Sequence, residues 1–247
     1  FDLEFTKDDV PILLHDADVD RTTNGTGRIA DLTWAEVKKL NAAAKFKDGK
    51  AFPHTPIPTL DDTVDFCMKR NLKIFFDVKA PDRRAVKVLT GLYKKHAWLY
   101  ENAAVCSFYP WLIYEVKRAD NKIITAHTWR RWVVTYADCE STIPRRTGFF
   151  YHYLSLALDI FNVWSIHSWL PGFTGADLVL TNRLDISPNY VSDMRAKNLE
   201  IVVWTVNDPN EQLWMRHTLG IIYLTDRTST TQLIKTTTHM QDVLVHS

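Results

Sequence analysis

Short runs of β-branched and aromatic residues alternate with helical stretches along most of this chain. The predicted strands are Leu72–Val78, Ala103–Phe108, Ile123–His127, Ala176–Leu180, Glu200–Thr205 and Ile221–Leu224. The predicted helices between them are Asp82–Lys95, Tyr109–Arg118, Ser187–Lys197 and Pro209–His217. This alternation indicates an α/β protein with a parallel sheet and helices outside it, because each return to a parallel strand needs a long crossover connection.

The first sixteen residues predict one further position of the sheet. In Phe1–Phe5 the residues alternate, which places Asp2 and Glu4 on one face of a strand. A turn follows at Lys7-Asp8-Asp9, and an apolar strand then ends at His15-Asp16. With this position the chain supplies seven, so one more strand before Phe1 would complete a TIM (β/α)8 barrel. We therefore expect the chain to lack the first strand and helix of such a barrel.

Residues 17–56 interrupt the alternation and are expected to form an insertion after the second barrel strand. Their composition includes Thr, Asn, Gly and Lys. Within them, Asp31–Val37 has a helix N-cap signature followed by a short helix.

Residues 149–170 form the second interruption, and they are dense in Phe, Tyr, Trp, Leu and Ile. The polar residues recur every three or four positions, at His152, Ser155, Asp159, Asn162 and Ser165. This spacing predicts a mostly apolar helix with a narrow polar stripe. The segment is long enough to span a bilayer, but Asp159 and its polar neighbours argue against free insertion. We expect a membrane-interface helix and a membrane-associated protein, with a helix packed on the barrel wall as the alternative.

The overall charge argues against nucleic acid as a partner. The formal net charge is +1, and the Lys and Arg residues are spread along the sequence. Doublets such as Arg130-Arg131 and Arg145-Arg146 are expected to be solvated surface. The three cysteines have no spacing typical of a disulfide framework or a CxxC motif.

Several side chains at predicted strand ends suit metal-assisted acid–base chemistry. Asp2 and Asp77 would point to the carboxyl-terminal face of a barrel, where hard oxygen ligands suit Mg²⁺ or Ca²⁺. His15 could exchange a proton near neutral pH, although a lone strand-end histidine is more often structural. Lys79 shares the face of Asp77 and could offset phosphate charge, or it is an exposed loop lysine. Trp204 is either a core residue or a wall of the site.

Several blocks of this sequence resemble the glycerophosphodiester phosphodiesterase family. The resemblance begins with Asp2–Asp8 and Val10–Asp16 and covers nearly the whole chain in the order of the family. The later blocks are Val19–Gly27, Ile57–Leu60, Phe75–Lys79, Val203–Asn207 and Leu224–Asp226. Asp77 occupies a position at which many members carry Glu. In this respect the sequence is similar to the animal membrane branch that hydrolyses glycerophosphoinositol.

The resemblance implies a single TIM-barrel phosphodiesterase domain over residues 1–247, incomplete at its N-terminus. Asp2 and Asp77 would bind a divalent metal, Mg or Ca, and His15 would be one of two catalytic histidines. Lys79 and Trp204 would contact the substrate. In the family, the other catalytic histidine belongs to a His-Arg-Gly motif, and a further metal-binding Glu belongs to a Glu-Asn-Thr segment. Neither motif occurs in this sequence. Residues 1–247 alone are therefore expected to be inactive.

The implied reaction is metal-dependent hydrolysis of a glycerophosphodiester, or of a related lysophospholipid-type substrate, to an alcohol and glycerol phosphate. A membrane surface is the second expected partner. A truncated or degenerate barrel that binds phospholipid head groups without catalysis is the alternative.

Overall fold

The structure is a computed structural model, and it describes residues 1–47 and 52–226. The chain consists of two compact units, of which the first is Phe1–Thr125 and the second begins at Ala126. The expectation of one domain over residues 1–247 stays a prediction.

The first unit opens with an antiparallel hairpin of β1 (Leu3–Phe5) and β2 (Pro11–Leu13). Its turn is closed by the Thr6 hydroxyl, which accepts the Val10 N–H at 3.0 Å. The expected short helix in the 17–56 segment is α1 (Trp34–Val37), preceded by a 3₁₀ turn. A capping box between Thr33 and Glu36 fixes its start, because each side chain satisfies a backbone N–H of the first turn.

The rest of the first unit is built from βα repeats. Its elements are α2 (Leu60–Arg70), β3 (Ile74–Asp77), α3 (Arg84–Lys95), α4 (Leu99–Asn102), β4 (Ala103–Ser107) and α5 (Pro110–Ala119). Strands β3 and β4 are parallel, with Asp77 opposite Cys106. The β3 pattern alternates buried and half-buried residues, and Phe76 packs edge-on against the buried Tyr93 of α3. The strand therefore faces the helix with Phe76 and turns Asp77 to the other side.

The second unit continues the same pattern. Strand β5 (Ile124–Trp129) begins two residues before this unit. The other elements are α6 (Phe149–Ser168), α7 (Leu170–Thr174), β6 (Leu178–Asn182), α8 (Pro188–Ala196), β7 (Glu200–Trp204), α9 (Pro209–Leu213) and β8 (Ile222–Tyr223). Strands β5 to β8 pair in parallel in chain order. Their buried side chains pack against helix residues such as Tyr190, Met194 and Met215. Parallel strands buried on both faces read as continuous apolar runs, which is why the sequence identifies them clearly.

The structure confirms the predicted elements with small shifts at their ends. The strand expected at Ala176–Leu180 is Leu178–Asn182, for example, and the expected 149–170 helix is Phe149–Ser168 followed by α7. The expectation that the Arg130-Arg131 doublet is solvated surface is wrong for Arg130. Its guanidinium is buried after β5, where it donates hydrogen bonds to the carbonyls of Tyr136 and Ala137.

Candidate active site

Asp2 and Asp77 lie side by side at the carboxyl-terminal end of β3. Their backbones form a parallel bridge, and the Asp77 N–H donates to the Phe1 carbonyl at 2.9 Å. Directly paired residues of neighbouring strands place their side chains on the same face of a sheet. The two carboxylates, 75 positions apart in the sequence, therefore share one face of the first unit.

Lys79 brings a positive charge to these carboxylates. Its Nζ lies 2.7 Å from Asp2 Oδ1, and both side chains are about one quarter exposed. Since Lys79 follows Asp77 by two residues, strand alternation directs the two side chains to the same side. The ion pair shows that Lys79 belongs to the acidic cluster and does not extend freely into solvent.

Asp77 is the most unusual side chain of the cluster. Its Oδ1 is buried and has no hydrogen-bond partner among the described residues. Burial raises the pKa of Asp77 to about 6, Lys79 opposes this shift, and Asp2 reinforces it. A buried carboxylate oxygen without a donor is destabilising. Such an oxygen is suited to receive a cation or a proton.

Glu4 lies on the same strand face as Asp2 and has a different character. Burial raises the pKa of Glu4 to about 7, and the nearby Asp82 adds to this shift. Glu4 therefore keeps its proton at a higher pH than an exposed glutamate does. It is better suited to support the strand end than to ligate a metal.

His15 follows β2 close to Asp2, because the N–H of the preceding Leu14 donates to the Asp2 carbonyl at 3.1 Å. The imidazole is exposed, and its Nδ1 lies 2.7 Å from Asp16 Oδ1. Arg21 binds Asp16 with its Nε and Nη2 at 2.5 and 3.0 Å. The Arg21 hydrogen bond is the main reason that the pKa of Asp16 falls to about 2.

Asp16 therefore stays ionised and fixes the imidazole through Nδ1, which leaves Nε2 for proton exchange. Sequence reasoning did not assign Asp16 and Arg21 to the site. The signal was the adjacency of His15 and Asp16, with Arg21 in the next block of the resemblance.

Trp204 lies in the second unit, at the end of β7. Its indole Nε1 donates to the Leu180 carbonyl at 3.0 Å, and the side chain is half-buried. Close to it in the sequence, the Asn207 side-chain oxygen accepts the Thr225 hydroxyl and the Asp226 N–H, both at 2.9 Å. Asn207 thus ties the segment after β7 to the segment after β8.

Metal-binding side chains are sparse in the site as it stands. Within residues 1–47 and 52–226, no group of three or more His, Cys, Asp or Glu side chains is arranged to hold a metal ion. Asp2 and Asp77 are a pair of carboxylates and do not make such a group with His15.

Comparison with known proteins gives three consistent results. The model of the glycerophosphoryl diester phosphodiesterase family matches residues 1–230. Glycerophosphodiester phosphodiesterase 1 of Bos taurus is 41% identical over 225 residues, which are 91% of this chain and 67% of the bovine protein. A putative glycerophosphoryl diester phosphodiesterase from Agrobacterium tumefaciens has a TM-score of 0.72 at 18% identity, over 97% of this chain and 85% of that one.

A further solved structure is similar over nearly the whole chain. It is the Oleispira antarctica phosphodiesterase in complex with the product sn-glycerol-3-phosphate. Its TM-score is 0.65 at 18% identity, over 95% of this chain and 82% of that one. At these identities the likeness shows the fold, and the predicted TIM-barrel-like α/β fold is confirmed.

Proposed function

The chain belongs to the glycerophosphoryl diester phosphodiesterase family, and we propose that it cleaves glycerophosphodiesters to an alcohol and glycerol phosphate with a divalent metal held by Asp2 and Asp77. The observation that carries the proposal is the buried, unpartnered Oδ1 of Asp77 beside Asp2. The product sn-glycerol-3-phosphate bound to the Oleispira antarctica protein supports the same reaction class.

The residues present fit a hard divalent cation. Asp2 and Asp77 offer carboxylate oxygens, the ligand type that Mg²⁺ and Ca²⁺ prefer, and one of these oxygens has no donor among the described residues. A bound cation would supply Lewis-acid stabilisation of the charge on the phosphate oxygens. Mg²⁺ and Ca²⁺ are both compatible with this donor set.

Lys79 is proposed to bind the phosphate. Its ammonium already lies against Asp2, at 2.7 Å, so a positive charge is held at the acidic cluster before substrate arrives. A phosphodiester carries one negative charge, and an ammonium nearby lowers the cost of placing it beside two carboxylates.

His15 is proposed to act as the general acid. Its Nε2 would donate a proton to the oxygen of the leaving alcohol as that phosphorus–oxygen bond breaks and an attacking oxygen, from water or from the glycerol hydroxyl, bonds to phosphorus. Asp16 holds Nδ1 at 2.7 Å, which fixes the orientation of the imidazole ring. Arg21 in turn keeps Asp16 ionised and positioned.

Trp204 is proposed to contact the substrate, on the resemblance alone. Its indole is fixed by the Leu180 carbonyl, so the ring has a defined orientation at the end of β7. A fixed aromatic surface suits the apolar carbon backbone of a glycerol moiety.

The test is release of glycerol phosphate from glycerophosphoinositol, glycerophosphocholine and a lysophospholipid, with Mg²⁺, Ca²⁺ or EDTA. The protein is expressed from its complete natural reading frame. We expect activity with one of the cations, none in EDTA, and strong losses in Asp77→Asn and His15→Gln. Asp61→Asn is the matched control, since Asp61 is an exposed carboxylate of α2 in the same unit.

Two outcomes would contradict the proposal. Full activity in EDTA would show that the reaction needs no divalent metal. Unchanged activity of Asp77→Asn would show that Asp77 is not a ligand of that metal. Binding of the diesters without any hydrolysis would instead favour the non-catalytic head-group binder.

A further inference from the structure

Helix α6 is oriented with its polar side inward. Ser155, Asp159 and Ser165 are buried, whereas the opposite side exposes large apolar side chains such as Phe161 and Trp164. A helix on the surface of a water-soluble protein shows the reverse arrangement. Among the described residues, no helix is both long and apolar enough to cross a membrane.

The inward polar side is fixed by hydrogen bonds. Asp159 is fully buried, and its two carboxylate oxygens accept the N–H groups of Val134 and Thr135 at 2.9 and 2.8 Å. Ser155 and Ser165 donate to carbonyls one turn earlier in the helix. Rotating α6 to hide its apolar side would break both Asp159 bonds, so the orientation is set by buried polar groups.

The outward side of α6 carries no Asp, Glu, Lys or Arg over its whole length. Its exposed large side chains are Phe149, Phe150, Tyr151, Tyr153, Leu154, Leu158, Ile160, Phe161 and Trp164. Trp169, which lies between α6 and α7, and Phe173 of α7 are also exposed and pack edge-on against each other. We call these eleven residues the apolar face. Contiguous exposed apolar surface of this kind marks a binding surface.

The distribution of residue types favours a lipid bilayer over a protein as the occupant. Aromatic side chains concentrate at the two ends of the apolar face, and Leu154, Leu158 and Ile160 lie between them. Tyr and Trp are enriched where protein meets the membrane interface. The exposed Arg145 and Arg146 immediately precede α6, and they suit anionic head groups.

We propose that α6 lies in the plane of a membrane, with the apolar face in the boundary between head groups and acyl chains. A spanning arrangement is disfavoured, because Asp159 at the middle of the helix is bonded to the protein's own backbone. An in-plane helix inserts only its apolar side, to a depth of roughly 5–10 Å. This proposal does not depend on the phosphodiesterase activity.

The test is co-sedimentation of the protein with phosphatidylcholine vesicles, with and without phosphatidylserine. Phe161→Ser combined with Trp164→Ser should reduce the partition coefficient about tenfold or more, because two large side chains leave the interface. The matched control is Phe46→Ser with Phe52→Ser. That pair is equally exposed and its rings are 5.9 Å apart, against 5.7 Å for Phe161 and Trp164, but it lies in the first unit. The control should bind vesicles like the wild type.

The contribution of charge is tested separately. Arg146→Gln should weaken binding about fivefold to vesicles that contain phosphatidylserine, which corresponds to ~1 kcal/mol per basic residue, and should not affect binding to pure phosphatidylcholine. Quenching of tryptophan fluorescence by brominated lipid is a second measurement, and it needs no disruptive variant. The quenching should be larger in the wild type than in Trp164→Phe.

Two results would overturn the proposal. One is wild-type partitioning by the Phe161→Ser and Trp164→Ser variant. The other is that the wild type is a dimer in the absence of lipid, whereas the variant is a monomer that binds vesicles as the wild type does. The latter result would assign the apolar face to a second copy of the chain.

Discussion

Asp77 and Asp159 both have a buried carboxylate oxygen, and the protein uses the two side chains in opposite ways. Both oxygens of Asp159 accept backbone N–H groups, so the side chain joins α6 to residues 134 and 135. Asp77 leaves Oδ1 without a donor among the described residues, and burial raises its pKa to about 6. A carboxylate whose oxygens are satisfied stabilises the fold, whereas one that is left open is available to a ligand.

The first way to test this contrast is to remove the charge of Asp77. Asp77→Asn should lower kcat/KM of the complete protein by about 10²–10³-fold or more, because an electrostatic group at the reacting phosphate is lost. The free energy of unfolding should stay the same or increase, since the wild-type carboxylate is poorly satisfied. Steady-state kinetics and urea unfolding measure the two effects. A large loss of stability would show that Asp77 has a structural role like that of Asp159.

A second test uses His127, a buried titratable group of β5. Its Nε2 lies 2.7 Å from the Thr174 hydroxyl, and burial lowers the pKa of His127 to about 4. The unfolded chain takes up this proton near pH 6.5, and the folded protein does so only near pH 4. The stability is therefore complete above pH 6.5 and falls by about 3 kcal/mol as the pH decreases to 4.

Urea unfolding from pH 7 to pH 4 measures this loss for the wild type and for His127→Asn. The variant should lack the His127 component of the decrease and keep the part that is due to carboxylates. Identical pH profiles would show that His127 is protonated without penalty in the folded protein.

The converse experiment replaces Asp159. Asp159→Asn replaces one of the two carboxylate oxygens with an amide NH2 group. One buried hydrogen bond is therefore lost, and the NH2 group faces a backbone N–H, which is also a donor. The expected loss of stability is about 1–3 kcal/mol, with hydrolysis of a soluble glycerophosphodiester nearly unchanged. Urea unfolding and kinetics at a temperature well below the unfolding transition measure both. A catalytic defect without a stability defect would reverse the assignment of the two aspartates.

The smallest effect is expected at Lys79. Lys79→Met keeps most of the side-chain length and removes the charge that lies against Asp2. KM should increase about tenfold, corresponding to ~1.4 kcal/mol of lost phosphate binding, with a smaller change in kcat. Lys69→Met on the exposed side of α2 is the control. An unchanged KM would limit Lys79 to the ion pair with Asp2.

The sequence predicts the strands and the α6 stripe well because both depend on local periodicity. It could not decide whether the stripe faces water or protein, since that depends on Asp159 meeting N–H groups about 25 positions away. It missed the burial of Arg130 for the same reason, because the carbonyls that it binds lie in a loop without a periodic pattern.

The candidate site was predictable to a similar extent. Strand ends and the family resemblance identify Asp2, Asp77, Lys79 and His15 as candidates, and the structure brings Asp2 and Asp77 together with Lys79. The open oxygen of Asp77 and the fixation of His15 by Asp16 depend on side-chain packing, which the sequence does not encode in a local pattern.

The most direct measurement is the stabilisation of the folded protein by Mg²⁺ or Ca²⁺. If Asp77 is a metal ligand, a cation concentration of about 100 times the Kd should raise the free energy of unfolding by ~2.7 kcal/mol. The wild type and Asp159→Asn should both show this increase, and Asp77→Asn should not. An equal increase in Asp77→Asn would contradict the account, because the open carboxylate would then not be the metal site.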